Sequence, residues 1–315
     1  MKKVVKNALR SFIFGGTLFF LGKALKDNWL EVSSIRIDAA GWAILTIATG
    51  VTLLAHTWAG WIWTWILKEF NQSVSTFEFI QVYLKTNIAK YLPGNVWHYY
   101  GRILAAKNAN ISTVTATLSV LLEPLLMATA ALMTVVLFGS QLAVNNTNIW
   151  VQILQFLSLV VLLGAVHPLV LNPIIRLLYR LKNQKNQKNQ NSTSENQSIN
   201  GLGLKCYPLL PLLGELIFLG LRGTGFILTM YALFSVKLSQ IPLLFGAFSF
   251  AWVLGLVVPG APGGLGVFEA TAIALLQHRF PAALVISAIA LYRLISILAE
   301  IAGAALASLD ERFSS

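Results

Sequence analysis

One cysteine, Cys206, in 315 residues excludes an internal disulfide and any thiolate metal cluster. Charge is nearly as scarce. Asp, Glu, Lys and Arg make up 11% of the chain, too little to cover a water-soluble globule of this length, while 56% is hydrophobic and the mean hydropathy is +0.70. The short alternating segments of a β-barrel are missing, because the apolar runs continue for about 20 residues or more. There is no HExxH and no GxSxG, and GGLG lacks the strand-before-helix context of a dinucleotide loop. Apolar segments fill almost the whole length and leave no room for a soluble catalytic domain. These absences leave an all-α polytopic membrane protein, residues 1–315 forming a single membrane domain, with no metal, no cofactor and no catalytic residue implied.

Acidic residues are the scarcer charge, 12 against 23 Lys and Arg, for a net charge of +11. The basic excess gathers in short loops beside apolar segments, as anchoring against anionic lipid requires, so no nucleic-acid partner is expected. Lys2, Lys3, Lys6 and Arg10 precede an apolar run from Ser11 to Leu21 with no small-residue cleavage site after it, which reads as an uncleaved first span. Further spans are expected at Ala39–Leu67, Thr113–Phe138, Ile149–Leu171, Pro208–Val236 and Pro281–Leu309. The stretch HTWAGWIWTW ending the second reads as an interfacial aromatic belt, with His56 as interfacial packing, and Trp97, Tyr99 and Tyr100 read as interfacial aromatics. LKNQKNQKNQNSTSENQ has no apolar residue between Asn183 and Gln197, so 176–207 is expected to be a disordered basic cytoplasmic loop.

Two apolar stretches are interrupted. KYLPGNVWHYYGR carries Pro93 and Gly94, and VVPGAPGGLGVFEA carries Pro259, Gly260, Pro262, Gly263 and Gly264. Proline removes the amide hydrogen that a helix needs, and unwound backbone at membrane depth persists only inside protein or along a wet cavity. Each arm around Pro93 is about 14 residues, roughly 20 Å at 1.5 Å per residue, too short for a core of about 30 Å. Thr76–Asn108 and Ile241–His278 therefore read as two broken re-entrant hairpins added to six spanning helices. The Lys and Arg of the short loops place both termini in the cytoplasm, which makes 39–138 and 208–309 repeats of opposite topology. Inverted repeats with interrupted helices are a transporter architecture.

Charged residues inside apolar helices nominate the site, since each costs at least ~2.5 kcal/mol at bilayer centre. Glu123 adjoins Pro124. Glu215 and Arg222 are spaced two turns apart on one helix, as are Arg293 and Glu300 on another. Because partners within one helix must bend along it, partners across helices are expected, with Arg222, Arg293 and Glu269 converging on a midplane cavity. His98, Arg102 and Glu269 lie in the opening turns of the second half-helices, where free amide hydrogens favour an anion; Glu269 serves equally to cap its own helix. The candidate substrate-binding set is Pro93, Gly94, His98, Arg102, Glu123, Arg222, Pro259, Gly260, Gly263, Gly264, Glu269, Arg293 and Glu300.

The two Pro-Gly stretches, with Arg293 and Glu300 in the last helix, resemble the lysylphosphatidylglycerol synthase transmembrane-region family, which includes the membrane half of the bacterial multiple peptide resistance factor. The resemblance runs from about Gly41 to Leu309. It implies a domain that flips or otherwise handles polar lipids. Two-part members carry a soluble aminoacyl-transferase domain that is not in this sequence, so aminoacyl transfer is not expected of it. The expectation is a flippase-like transporter of an anionic or zwitterionic lipid in the cell membrane, with a lipid-modifying enzyme or a second copy as partner. The alternatives are a transferase subunit on a lipid or polyprenyl phosphate, using His98 or Glu269 as base, and a scaffold for a lipid-modifying enzyme.

Overall fold

Every regular element follows from apolar runs that Pro, Gly and Asn punctuate. The computed structural model describes residue 23 and residues 26–92, 96–138, 149–186, 203–258 and 262–314, and its regular elements are all helical. The expected first span, the uncharged loop after Phe138, and Pro93, Gly94, Pro259 and Gly260 lie outside these residues.

A short helix α1 (Trp29–Ser34) precedes α2 (Ala39–Glu69), whose start is capped by Asp38 accepting from the Gly41 amide at 2.7 Å. The first hairpin is α3 (Thr76–Asn87), a 3-10 turn over Ile88–Tyr91, and α4 (Trp97–Asn108). Asn71 and Asn110, both left-handed, terminate α2 and α4; the amides that follow them return to Leu67 and Ala106 carbonyls. Next come α5 (Thr113–Phe138), α6 (Ile149–Val166) and α7 (Pro168–Asn186), then α8 (Leu209–Leu233). The second hairpin is α9 (Ile241–Val257), a turn over Pro262–Gly264 and α10 (Val267–Leu276), and α11 (Ala282–Ser314) ends the chain.

Among the described residues, five helices are long and apolar enough to cross a membrane, or six if a bent pair is one span. The bent pair corrects the expected span Ile149–Leu171. The helix breaks by 61° at His167, because Pro168 cannot donate and the Leu169 amide turns to His167 Nδ1 at 3.2 Å. The first arm of the second hairpin also differs from a half-span, since Leu238–Val257 is itself long enough to cross. The expected disordered loop is helical as far as Asn186 and packed again from Gly203. Asn172 clasps Leu204 there, accepting from its amide at 2.9 Å and donating to its carbonyl at 2.9 Å. Gly203 permits this approach: its φ is 150°, and a Cβ would stand 2.7 Å from the Asn172 oxygen.

The packing is reciprocal. Within the first half α2 packs on α3, α3 on α4 and α4 on α5; α8, α9, α10 and α11 repeat that order. Across the halves α2 meets α8, α5 meets α9 and α11 meets α3, so the last helix of each half lies against the other half's hairpin. The two interrupting turns touch as well. Two buried clusters result, each drawing on both halves: Trp63, Phe79 and Val120 pack with Leu212 and Phe218 in one, and Phe226, Phe248, Phe268 and Tyr292 interlock largely edge to face beside Ala128 and Ala131 in the other.

The tryptophan-rich end of α2 is not an interfacial belt. Trp63 is wholly buried with its Nε1 donating to Ser119 at 3.2 Å, Trp58 donates to the Gly214 carbonyl at 3.0 Å, and of the run only Trp61 is exposed, at 40%. Those inward hydrogen bonds let the indoles serve as core. Outward faces instead carry Ile47, Leu54, Leu154, Leu298 and Ile301, apolar surface suited to lipid.

Candidate functional site

Where the two halves meet, a cavity of about 140 Å³ opens among α2, both hairpins, α5, α8 and α11. The breaks build its wall. Gly263, Gly264 and Gly266 have φ of 59°, 73° and 85°, conformations that side chains disfavour, and a Cβ on Gly263 would stand 2.9 Å from the Tyr91 ring. The second turn is thus pressed against the first.

Three carboxylates organise the polar lining. Glu123, loosened from ideal helix by Pro124, accepts from Tyr83 Oη at 2.6 Å and from Arg102 Nη1 at 2.7 Å, and the Arg102 guanidinium lies 3.5 Å over the Tyr83 ring. Glu269 accepts from Arg293 Nε at 2.5 Å and from the Gly266 amide at 2.6 Å, so it both pairs and caps α10. Arg293 reaches back from there to the Gly263 carbonyl at 3.2 Å. Glu300 accepts from Lys90 Nζ at 2.6 Å and stands 3.3 Å from His56 Nε2. Every pair joins different helices, and Lys90–Glu300 ties the first hairpin to the last helix. Buried charges held this way fix the arrangement of the elements, because removing one partner strands the other in a low dielectric.

Arg222 is the exception. Its Nη1 contacts His56 Nε2 at 3.3 Å, its guanidinium lies 5.3 Å over Tyr292, and Tyr292 Oη donates to its backbone carbonyl at 3.1 Å. Among the described residues no carboxylate pairs with it, and its buried Nε has no hydrogen-bond partner. Counting the lining and the groups that touch it directly, Lys90, Arg102, Arg222 and Arg293 face Glu123, Glu269 and Glu300, an excess of one positive charge.

Of the residues singled out from sequence, His98, Arg102, Glu123, Arg222, Gly263, Gly264, Arg293 and Glu300 line this one cavity, and Glu269 stands behind Arg293. Glu215 does not join them; it is 1% exposed outside the lining, and neither carboxyl oxygen has a hydrogen-bond partner. His56 is corrected from interfacial packing to a buried cavity residue between Glu300, Arg222 and Asn87. Its depth is the signal: thirteen positions from the end of α2 is about 20 Å, too far inside to be interfacial. Tyr99 is likewise part of the lining, its ring tilted against His98 with centroids 3.8 Å apart, whereas Trp97 and Tyr100 are exposed. Sequence reasoning passed over Lys90, Asn87 and Tyr83 as site residues; their helical spacing just ahead of the first break would have marked them.

The family model described as lysylphosphatidylglycerol synthase TM region matches residues 7–303. The chain belongs to that family. The match covers both hairpins and every cavity-lining residue, so the cavity is part of the family's membrane domain. No curated protein matches this family member.

Proposed function

We propose that the protein is a flippase-like transporter of a polar lipid with an anionic or zwitterionic headgroup, seated in the cell membrane with both termini cytoplasmic. The observation that carries the reading is the cavity itself: a partly open chamber among apolar helices, at the meeting of two interrupted hairpins, lined by buried charges of which one guanidinium lacks a carboxylate. Charge of that kind inside a membrane is expensive and marks substrate pathways. The reciprocal packing of the two halves supports an inverted repeat, in which each half exchanges between two arrangements about a shared site. Acyl chains remain in lipid along the exposed apolar faces while the headgroup passes the cavity.

Reconstitution into vesicles holding trace fluorescent lipids of several headgroups tests this. At least one lipid is expected to become accessible to an external quencher faster than in protein-free vesicles. Identical rates with and without protein, for every headgroup, overturn the proposal.

A further inference from the structure

We infer that the headgroup this cavity accepts is a phosphate ester of net negative charge carrying no ammonium group, in preference to zwitterionic or net-positive headgroups. This rests on the transporter reading and narrows it. The groups that would bind an ammonium are already engaged. Both oxygens of Glu123 are taken by Tyr83 and Arg102, both oxygens of Glu269 by Arg293 and the Gly266 amide, and Glu300 is neutralised by Lys90 at 2.6 Å. Aromatic faces are the other means of holding an ammonium. Here Tyr83 lies under Arg102, Tyr91 under Lys90 at 5.3 Å, Tyr292 under Arg222 and Phe268 under Arg293, while Phe218 and Trp252 pack edge to face on each other and Tyr99 lies against His98.

Among the unpartnered groups of the lining, the guanidinium nitrogens are donors. Arg222 Nε and Arg102 Nε are buried without partners, and Arg222, 7% exposed, has only a histidine nitrogen beside its Nη1. A guanidinium favours phosphate, which it binds through paired donors. The one bare carboxylate oxygen in the lining, Glu300 Oε2, has its charge met by Lys90 and suits a neutral hydroxyl. A second cation would add to an existing positive excess, whereas a phosphate cancels it. The lysylated lipid in the family's description, with ammonium groups on its headgroup, is on this chemistry a poor ligand for this chain.

The test compares fluorescent phosphatidylglycerol, phosphatidylethanolamine and lysylphosphatidylglycerol in neutral phosphatidylcholine vesicles containing the parent protein. Phosphatidylglycerol is expected to move at least about tenfold faster than the other two, the worth of one charge-assisted hydrogen bond. Equal or faster movement of either amine-bearing lipid overturns the inference and leaves the transporter reading intact. Movement of none removes that reading, and protection of the detergent-solubilised protein against heat then decides the inference. Glycerol phosphate is expected to protect and phosphoethanolamine not; equal protection overturns the selectivity, and equal protection by inorganic phosphate overturns the headgroup in favour of a free-phosphate site. Arg222→Gln is expected to shrink the preference to within about twofold and Arg222→Lys to keep most of it. An undiminished preference in folded Arg222→Gln overturns the role of Arg222. The headgroup comparison on the parent protein stands even if that variant does not fold.

Discussion

The two Arg–Glu pairs occupy corresponding places in the two halves with their charges exchanged. In the first, the arginine is on the hairpin arm (Arg102 on α4) and the carboxylate on the following long helix (Glu123 on α5); in the second, Glu269 is on the arm α10 and Arg293 on α11. Their surroundings differ more than their chemistry. Arg102 and Glu123 are both 2% exposed and locked by Tyr83, a side chain from the neighbouring α3. Arg293 and Glu269 are 17% and 9% exposed, and their other partners are backbone groups of the interrupting turn. One pair is closed into the core; the other is bound to the segment whose conformation is least conventional. An ion pair is therefore read by what else holds it, since identical charges close a core in one setting and hold an interrupted turn in another.

That contrast can be broken by substitution. The largest effect on folding is expected from Arg102→Gln, which strands Glu123 and should cost ~3–5 kcal/mol, measured by thermal or denaturant unfolding in detergent. If Arg102→Gln is as stable as the parent, the closed pair is not structural. For Arg293→Gln the expected loss of stability is smaller, about 1–2 kcal/mol, because water reaches the pair, while lipid movement in vesicles should fall at least about tenfold. Equal stability losses in these two variants, with transport intact in Arg293→Gln, would abolish the distinction. Trp63→Phe is expected to cost about 1–2 kcal/mol, since it removes one buried hydrogen bond to Ser119, whose hydroxyl still donates to the Ala116 carbonyl, and leaves part of a wholly buried indole's volume empty. The smallest effect is predicted for Glu215→Gln. With no hydrogen-bond partner for either carboxyl oxygen, the neutral near-isostere should change stability by less than about half a kcal/mol. A loss of several kcal/mol would mean that Glu215 is held as an ion.

Much of this arrangement is legible in the sequence because membrane helices advertise themselves through composition. The apolar runs of α2, α5, α8 and α11 give the spanning elements, and the glycines at 263 and 264 give the break, since a backbone that needs positive φ leaves a signature in residue type. Charged residues within those runs led to the cavity for the same reason: they are conspicuous where they are costly. The residues that escaped sit where two signals overlap. His56 lies at the head of a tryptophan-rich run that imitates an interface, and Lys90 lies in the short turn that continues an amphipathic helix, where a lysine is ordinary. The bend at His167 escaped because Pro168 is tolerated at the first position of a helix and marks a start as readily as a stop. Which charge pairs with which was not legible, because pairing depends on how halves far apart in sequence interlock.

The clasp of Asn172 on Leu204 fixes where the chain re-enters the bundle independently of what lies between. Both peptide groups of Leu204 are held by one side chain, and Leu204 itself is 3% exposed, so the entry to α8 is anchored before Tyr207 and Pro208 are reached. For protein engineering this makes the intervening stretch a splice point: a rigid soluble domain inserted there as an imaging fiducial should leave the heat stability of the membrane core unchanged, provided Asn172, Gly203 and Leu204 are retained.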